Sequence, residues 1–296
     1  MKRALVACIA GLGLCACSDD ATSLPDAGDV PDAAPDTPGC DRPSLDASWL
    51  ASYLHGAVEM LAATPRSTTA QRMTARTYLA AELTAAGWTA QRAAFASGEN
   101  VYATIPATMA PAGPEIIVGA HFDSVANSPG ANDNASGTAV VLALAKYLAE
   151  TPCRTAPVTL ALFDLEESGL FGSRAFAMSR APSAVRAVHT IDQVAWDSDG
   201  DMHFEIESPT ETLFSEWSAA AQIVGVPVTR TTTEGTDHEA FRDLGFAAVG
   251  LTEEYVGGDT SPYRHLPTDT ADTVNESYLA LAAQLTAQVV LDEVSR

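Results

Sequence analysis

The sequence predicts an α/β fold: one domain with a mixed, mostly parallel central sheet and helices on both of its faces. Three observations lead there. From about Cys40 onward, stretches with apolar residues at three-to-four spacing alternate with short apolar runs, without repeats or a second linker. Several of those runs are unbroken by polar residues, the pattern of strands covered on both faces. The residues with chemical capability stand at the C-terminal ends of the runs, the edge at which open α/β sheets bind ligands.

Taken in order, helical periodicity covers residues 45–64 and 68–87, punctuated by Pro65 and Gly87. Further helices are expected over 137–151, 169–180, 211–224 and 275–294. Strands are expected over 100–106, 115–120, 158–164, 185–192, 202–207 and 247–252. His121 follows Ile116-Ile117-Val118, Glu166 follows the run from Leu160 to Leu165, and Asp192 closes Val188 to Ile191. Residues distant in the chain are therefore expected at one sheet edge, although periodicity leaves the strand order open.

Ahead of this domain, which is expected to span 40–296, the chain changes character. Met1-Lys2-Arg3 is basic and Ala4 to Leu14 is apolar but too short to cross a bilayer, so residues 1–16 read as an export signal. Leu14-Cys15-Ala16-Cys17 resembles a bacterial lipoprotein processing box, which makes Cys17 the expected lipidation site and implies an exported protein anchored by lipid to a bacterial membrane. Residues 17–39 are rich in Asp, Pro and Ala and carry no base, so they read as a disordered tether. With Cys8 and Cys15 removed and Cys17 lipidated, Cys40 and Cys153 remain and are expected to pair in an oxidising compartment. The formal charge of −22 argues against nucleic acid and anionic lipid as partners. It suits divalent cations and substrates bearing an ammonium group, though most of the charge is expected on a solvated face.

Five short strings carry the chemistry: GAHFDS (119–124), GANDNASG (130–137), DLEESGLFGS (164–173), HTIDQ (189–193) and YRHLPTDT (263–270). They supply His121, Asp133, Glu166, Glu167, Asp192 and His265, the inventory of a two-metal hydrolase: imidazole and carboxylate ligands, one carboxylate able to bridge, and a separate base. Two neutral imidazoles and the carboxylates of Asp133, Glu167 and Asp192 nearly balance two divalent ions, and a bridging hydroxide cancels the remainder, which favours ionising a bound water. Glu166 and Glu167 would point to opposite faces of a regular strand. Ser168-Gly169 signals a turn that lets both reach one cleft, one as ligand and one as proton shuttle. The plainer alternative is that both acids simply begin a helix.

Asp123, two residues after His121, and Asp269, four after His265, are candidates to hold the second ring nitrogen of those histidines. Asp237 and His238 in GTDHEAF are candidates to line the cleft. His55, His189 and His203 have no carboxylate context and read as core or surface residues. The chain has no His-Glu-x-x-His, Gly-x-Ser-x-Gly or Gly-x-x-x-x-Gly-Lys, so single-zinc protease, serine hydrolase and nucleotide-binding readings lack their local residues.

In order, spacing and flanks, these strings resemble the M28 zinc peptidases, the co-catalytic aminopeptidase family, over residues 68–295. The resemblance implies a zinc-peptidase-like mixed sheet between helices, peptide substrates, and two Zn2+ ions or other divalent metals as cofactors. It implies that His121 and Asp192 hold one zinc, Glu167 and His265 the other, that Asp133 bridges them, and that Glu166 is the general base of an aminopeptidase. It also implies a cis peptide between Asp133 and Asn134. Two residues depart from the family pattern. Asn132 replaces an Asp found in many relatives and is expected behind the ligands, and Gln193 replaces a Met that forms a wall of the side-chain pocket. Two other readings stay open. One is a carboxypeptidase or dipeptidase on the same scaffold, in which Arg264 would grip a terminal carboxylate rather than serve as a surface ion-pair partner. The other is a glutaminyl cyclase, an acyltransferase with a single zinc.

Overall fold

A computed structural model describes residues 40–296. The export signal, Cys17 and the 17–39 tether lie outside the described residues. Within them the strands are β1 (Gln91–Phe95), β2 (Gly98–Ile105), β3 (Glu115–His121), β4 (Val158–Phe163), β5 (Val185–Ile191), β6 (Phe204–Glu207), β7 (Val228–Thr231) and β8 (Ala248–Thr252). The α-helices are α1 (Leu50–Ala62), α2 (Thr69–Ala85), α3 (Gly137–Ala149), α4 (Phe171–Met178), α5 (Glu211–Val224), α6 (Asp237–Arg242) and α7 (Glu276–Val294). One sheet holds the strands in the order β1-β2-β4-β3-β5-β8-β6-β7. Its centre, β4-β3-β5-β8, is parallel throughout, and antiparallel pairings attach the β1–β2 hairpin on one flank and β6 on the other. This is the mixed, mostly parallel sheet that the sequence predicts.

The unbroken apolar runs have a simple cause. Successive strand residues face opposite sides, and here both sides are covered. Ile116, Val118 and Ala120 of β3 with Leu160 and Leu162 of β4 join a large core with Leu54 of α1, Leu79 of α2, Leu142 of α3, Trp217 of α5 and Leu285 of α7. Ile117, Ala161 and Phe163 point the other way, into a smaller core with Phe176 of α4 and Phe241 of α6. Truncating one of these buried Leu, Ile or Phe residues to Ala costs about 2–5 kcal/mol. Helix α3 lies between the sheet and α1 and α7, which is why it is buried from Gly137 through Ala145.

Helix starts follow local chemistry. Thr68 and Gln71 form a reciprocal capping box at α2, and Thr210 and Asn275 cap α5 and α7. The first helix begins later than its periodicity suggests, because the Leu45 carbonyl is held outside it by the Tyr147 hydroxyl at 2.6 Å. The strands not anticipated, β1 and β7, are the two sheet edges, and their partly exposed residues lack the apolar signature of the central strands. Cys40 and Cys153 are joined with Cα atoms 5.2 Å apart, tying the start of the described chain to the turn that follows α3. No helix among the described residues is long and apolar enough to cross a membrane.

Candidate metal centre

The parallel pairing of β3 with β5 sets two candidate ligands side by side. His121 ends β3, Asp192 follows β5, and His121 Nε2 lies 3.4 Å from Asp192 Oδ1. Asp133 arrives on a tight turn, Ala131–Ser136, that precedes α3 and contains a cis Asp133-Asn134 peptide. The turn has little freedom. Gly130 enters it at φ +64°, where a Cβ would fall 2.8 Å from Arg66 Nη2. Asp269 accepts hydrogen bonds from the Asn132 N–H at 2.8 Å and the Asp133 N–H at 3.2 Å. Asn134 donates to the Ile191 carbonyl at 2.8 Å and accepts from the Gly137 N–H at 2.8 Å, fastening the turn to the end of β5.

Glu166 and Glu167 lie just past β4, where Leu165 turns the chain at φ +62°. The Asp123 carboxylate accepts from both of their N–H groups, at 3.0 and 3.3 Å, and so fixes the turn. His265, itself at φ +62°, comes from the loop ahead of α7. The Asp133 carboxylate then faces two ways: Oδ1 is 3.3 Å from His121 Nε2, and Oδ2 is 3.1 Å from His265 Nε2. Glu167 Oε2 completes the second side, 3.1 Å from His265 Nε2. Donor atoms about 2 Å from a shared ion sit about 3.4 Å from one another in a tetrahedral shell. The observed spacings fit that requirement on both sides of Asp133. Buried atoms without a hydrogen-bond partner, His121 Nε2, Asp192 Oδ1 and Glu167 Oε1, fit it too.

The electrostatics follow from crowding acids in a buried space. Burial alone would lower the His121 pKa, but Glu166 and Asp192 outweigh it and hold the imidazolium well above its ordinary value. Burial pushes Glu166 up to about 10 and Glu167 up to about 7, and raises Asp192 as well. Burial opposes ionisation of Asp133, yet the imidazoles of His121 and His265 and the Arg264 guanidinium beside it hold it well below the usual carboxylate range. A cluster of this kind is relieved by cations, as a metal site requires.

All six candidate residues thus meet. Glu166 Oε2 lies 4.0 Å from His121 Nε2, and by distance alone His121, Glu166 and Asp192 also form a chelating set. The supporting residues match expectation in part. His121 Nδ1 faces Asp123, 3.2 Å from its main-chain carbonyl and 3.5 Å from its Oδ1, and the same carboxylate also serves the Glu166–Glu167 turn. Asp269 braces the Asp133 turn instead of His265. Asn132 does sit behind the ligands, donating to Glu253 Oε2 at 2.8 Å and accepting from the Ala195 N–H at 2.9 Å. Gln193 is buried at φ +49°, with no partner for Oε1.

Asp237 is buried close enough for its charge to act on Glu166, but His238 turns away toward Thr233, Thr236 and Glu207 and lines no cleft. Arg264 is no remote surface partner, for its Nε lies 3.4 Å from Asp133 Oδ2. His55, His189 and His203 have carboxylate partners after all: His55 pairs with Glu59 one helical turn on and with Glu276, while His189 and His203 meet the distant Glu293 and Glu254.

Two further residues carry the site and were not anticipated. Arg66, wholly buried, donates to the carbonyls of Leu61, Phe122, Pro129 and Gly130, and so spans the backbone between His121 and Asp133. Glu253, also wholly buried, accepts from the Ser261 N–H at 2.7 Å and from Asn132, linking the His265 loop to the Asp133 turn. Both act through partners tens of residues distant, and no local string marks them.

Residues 100–290 match Peptidase family M28, and the chain belongs to that family. It is 27% identical over 196 residues to aminopeptidase YwaD of Bacillus subtilis, covering 62% of this chain and 42% of that one. It is 28% identical over 199 residues to the probable lipoprotein aminopeptidase LpqL of Mycobacterium tuberculosis, covering 56% and 40%. The chain therefore matches well under half the length of these relatives. Among solved structures, the aminopeptidase of Aneurinibacillus sp. strain AM-1 superposes with a TM-score of 0.73 at 16% identity, covering 81% of this chain and 93% of that one. The glutaminyl cyclase of Porphyromonas gingivalis does so with a TM-score of 0.69 at 18% identity, covering 81% and 97%. Likeness at that identity speaks to the fold alone.

Proposed function

We propose that this protein is a metal-dependent exopeptidase, an aminopeptidase that cleaves the N-terminal peptide bond of its substrates with two zinc ions. One observation carries the reading: Asp133 presents one oxygen to His121 and the other to His265, as a carboxylate bridging two ions does. His121 and Asp192 would hold one ion and Glu167 and His265 the other. When bound, the pair supplies Lewis acidity toward the scissile carbonyl and lowers the pKa of a water.

Glu166 would serve as the base that takes up a proton from the attacking water and returns it to the leaving nitrogen, a role for which its turn holds it against the cluster. Asp237, buried near Glu166 and outside the ligand set, leaves an acid not taken up by the ions that suits the free ammonium of a peptide's first residue. The sequence signals at Cys17 and the named character of LpqL support an exported, lipid-anchored protein.

The test is Glu166→Gln with zinc content measured alongside turnover of an aminoacyl p-nitroanilide and its N-blocked counterpart. Two zinc ions per chain with turnover lowered about 100-fold or more are expected, and only the unblocked substrate should be cleaved by the native protein. Loss of zinc in the variant would make Glu166 a ligand, and a native protein with one tightly held zinc would favour cyclase chemistry instead.

A further inference from the structure

We propose that Arg264 is a binding residue for the free carboxylate of a dipeptide, so that the preferred substrates are dipeptides rather than longer chains. The inference rests on the peptidase reading above and names its substrate class. Among the described residues, Arg264 is the one Lys or Arg within ion-pair distance of any proposed ligand, with Nε 3.4 Å from Asp133 Oδ2. Its guanidinium is aimed but not consumed. The Tyr255 ring centre is 5.9 Å from the guanidinium carbon, and neither Nη atom has a hydrogen-bond partner among the described residues. The side chain is 40% exposed, so those donors stand at the mouth of the site within reach of a ligand.

Reach fixes the class of ligand. A carboxylate oxygen lies about 2 Å from an ion it binds, so an ion held by Asp133 Oδ2 would lie within about 5–6 Å of Arg264 Nε. In a dipeptide poised for cleavage, three bonds separate the scissile carbonyl carbon from the terminal carboxylate carbon, a span of about 3–4 Å. A guanidinium–carboxylate pair then closes the remaining gap of about 2.8 Å. One more residue would carry the carboxylate about 3.5 Å further on. Substrate ammonium and carboxylate would thus meet opposite charges at the two ends of one site, Asp237 within and Arg264 at the rim.

The experiment compares leucyl-alanine with leucyl-alanine amide on the zinc-loaded full chain, in the native protein and in Arg264→Gln and Arg264→Lys. The native protein should favour the free acid by about tenfold or more in kcat/KM, mainly through KM, as expected for a charge-assisted pair. Arg264→Gln should bring the ratio close to one, and Arg264→Lys should keep part of it, because charge survives without the paired fork. A native ratio near one, a preference that survives Arg264→Gln, or an equal fall for both substrates in that variant would each overturn the proposal. If the native protein hydrolyses neither substrate, the peptidase reading falls and takes this inference with it.

Discussion

The two halves of the proposed metal centre are built differently. His121 and Asp192 extend from adjacent parallel strands and are 1% and 8% exposed at their side chains. Glu167 and His265 come from turns and are 10% and 38% exposed. The inner half inherits its geometry from the sheet, whose hydrogen-bond register places the ends of β3 and β5 together whatever the loops do. The outer half depends on left-handed turn residues, Leu165 and His265, held by side-chain hydrogen bonds such as those Asp123 accepts from Glu166 and Glu167. In a fold of this kind the sheet register itself supplies one ligand pair, whereas the other has to be assembled from turns.

Asp133 is the point at which the comparison should fail, since its carboxylate belongs to both halves. Asp133→Ala is expected to lose zinc from both and to lower turnover about 1,000-fold or more, read by metal content and initial rates. A variant that keeps one zinc in the inner half would show that the bridge is dispensable there.

Arg66 tests whether the inner half is as self-sufficient as its strands suggest. Its four main-chain acceptors run from Leu61 to Gly130, and Arg66→Met leaves them buried without a donor. Unfolding in urea should show a loss of about 3–5 kcal/mol, and chelator competition a fall in zinc affinity of about tenfold or more. If stability drops while zinc affinity holds, the strands fix His121 and Asp192 without help from Arg66. A smaller effect separates the halves directly. Under a slow chelator, zinc should leave in two phases, with the outer, more exposed half emptying first. A single phase would mean that the halves are energetically one unit.

The same division explains what could be read from the sequence. His121, Glu166 and Asp192 are legible because each stands just past a largely apolar, strand-like run, and such runs announce a buried parallel sheet. His265 and Asp133 carry no such positional signal and were found through the flanking strings. Asp123 and Asp269 are both legible as supporting acids, and Asp123 does face His121, but Asp269 braces the Asp133 turn and not His265, because sequence separation does not say which way a side chain points out of a turn. Arg66 and Glu253 were invisible, for their acceptors and donors are spread across the chain. The edge strands β1 and β7 escaped for the opposite reason: they are too exposed to need an apolar pattern.

The mildest prediction concerns a histidine as buried as His121 but outside the site. His238 is 0% exposed against 1% for His121, yet its pKa moves the other way, down to about 4, because burial is not outweighed by ionised neighbours. Its nearest acid, Glu207 at 3.5 Å, is itself pushed up to about 8 by burial, and Arg242 lowers His238 further. A histidine with a depressed folded pKa is neutral in the native state while the unfolded chain takes up a proton. Its contribution is present above pH 6.5 and is lost as pH falls toward about 4. Glu207 acts with the opposite sign, its contribution present below pH 4.5 and lost as pH rises toward about 8, so the total pH dependence would hide both. The measurement is therefore the difference in unfolding free energy between the native protein and His238→Gln. The native protein's advantage at pH 7 should shrink by on the order of 3 kcal/mol as pH falls to 4. A difference that stays constant with pH would mean that His238 titrates normally, and that burial without neighbouring charge is not what separates it from His121.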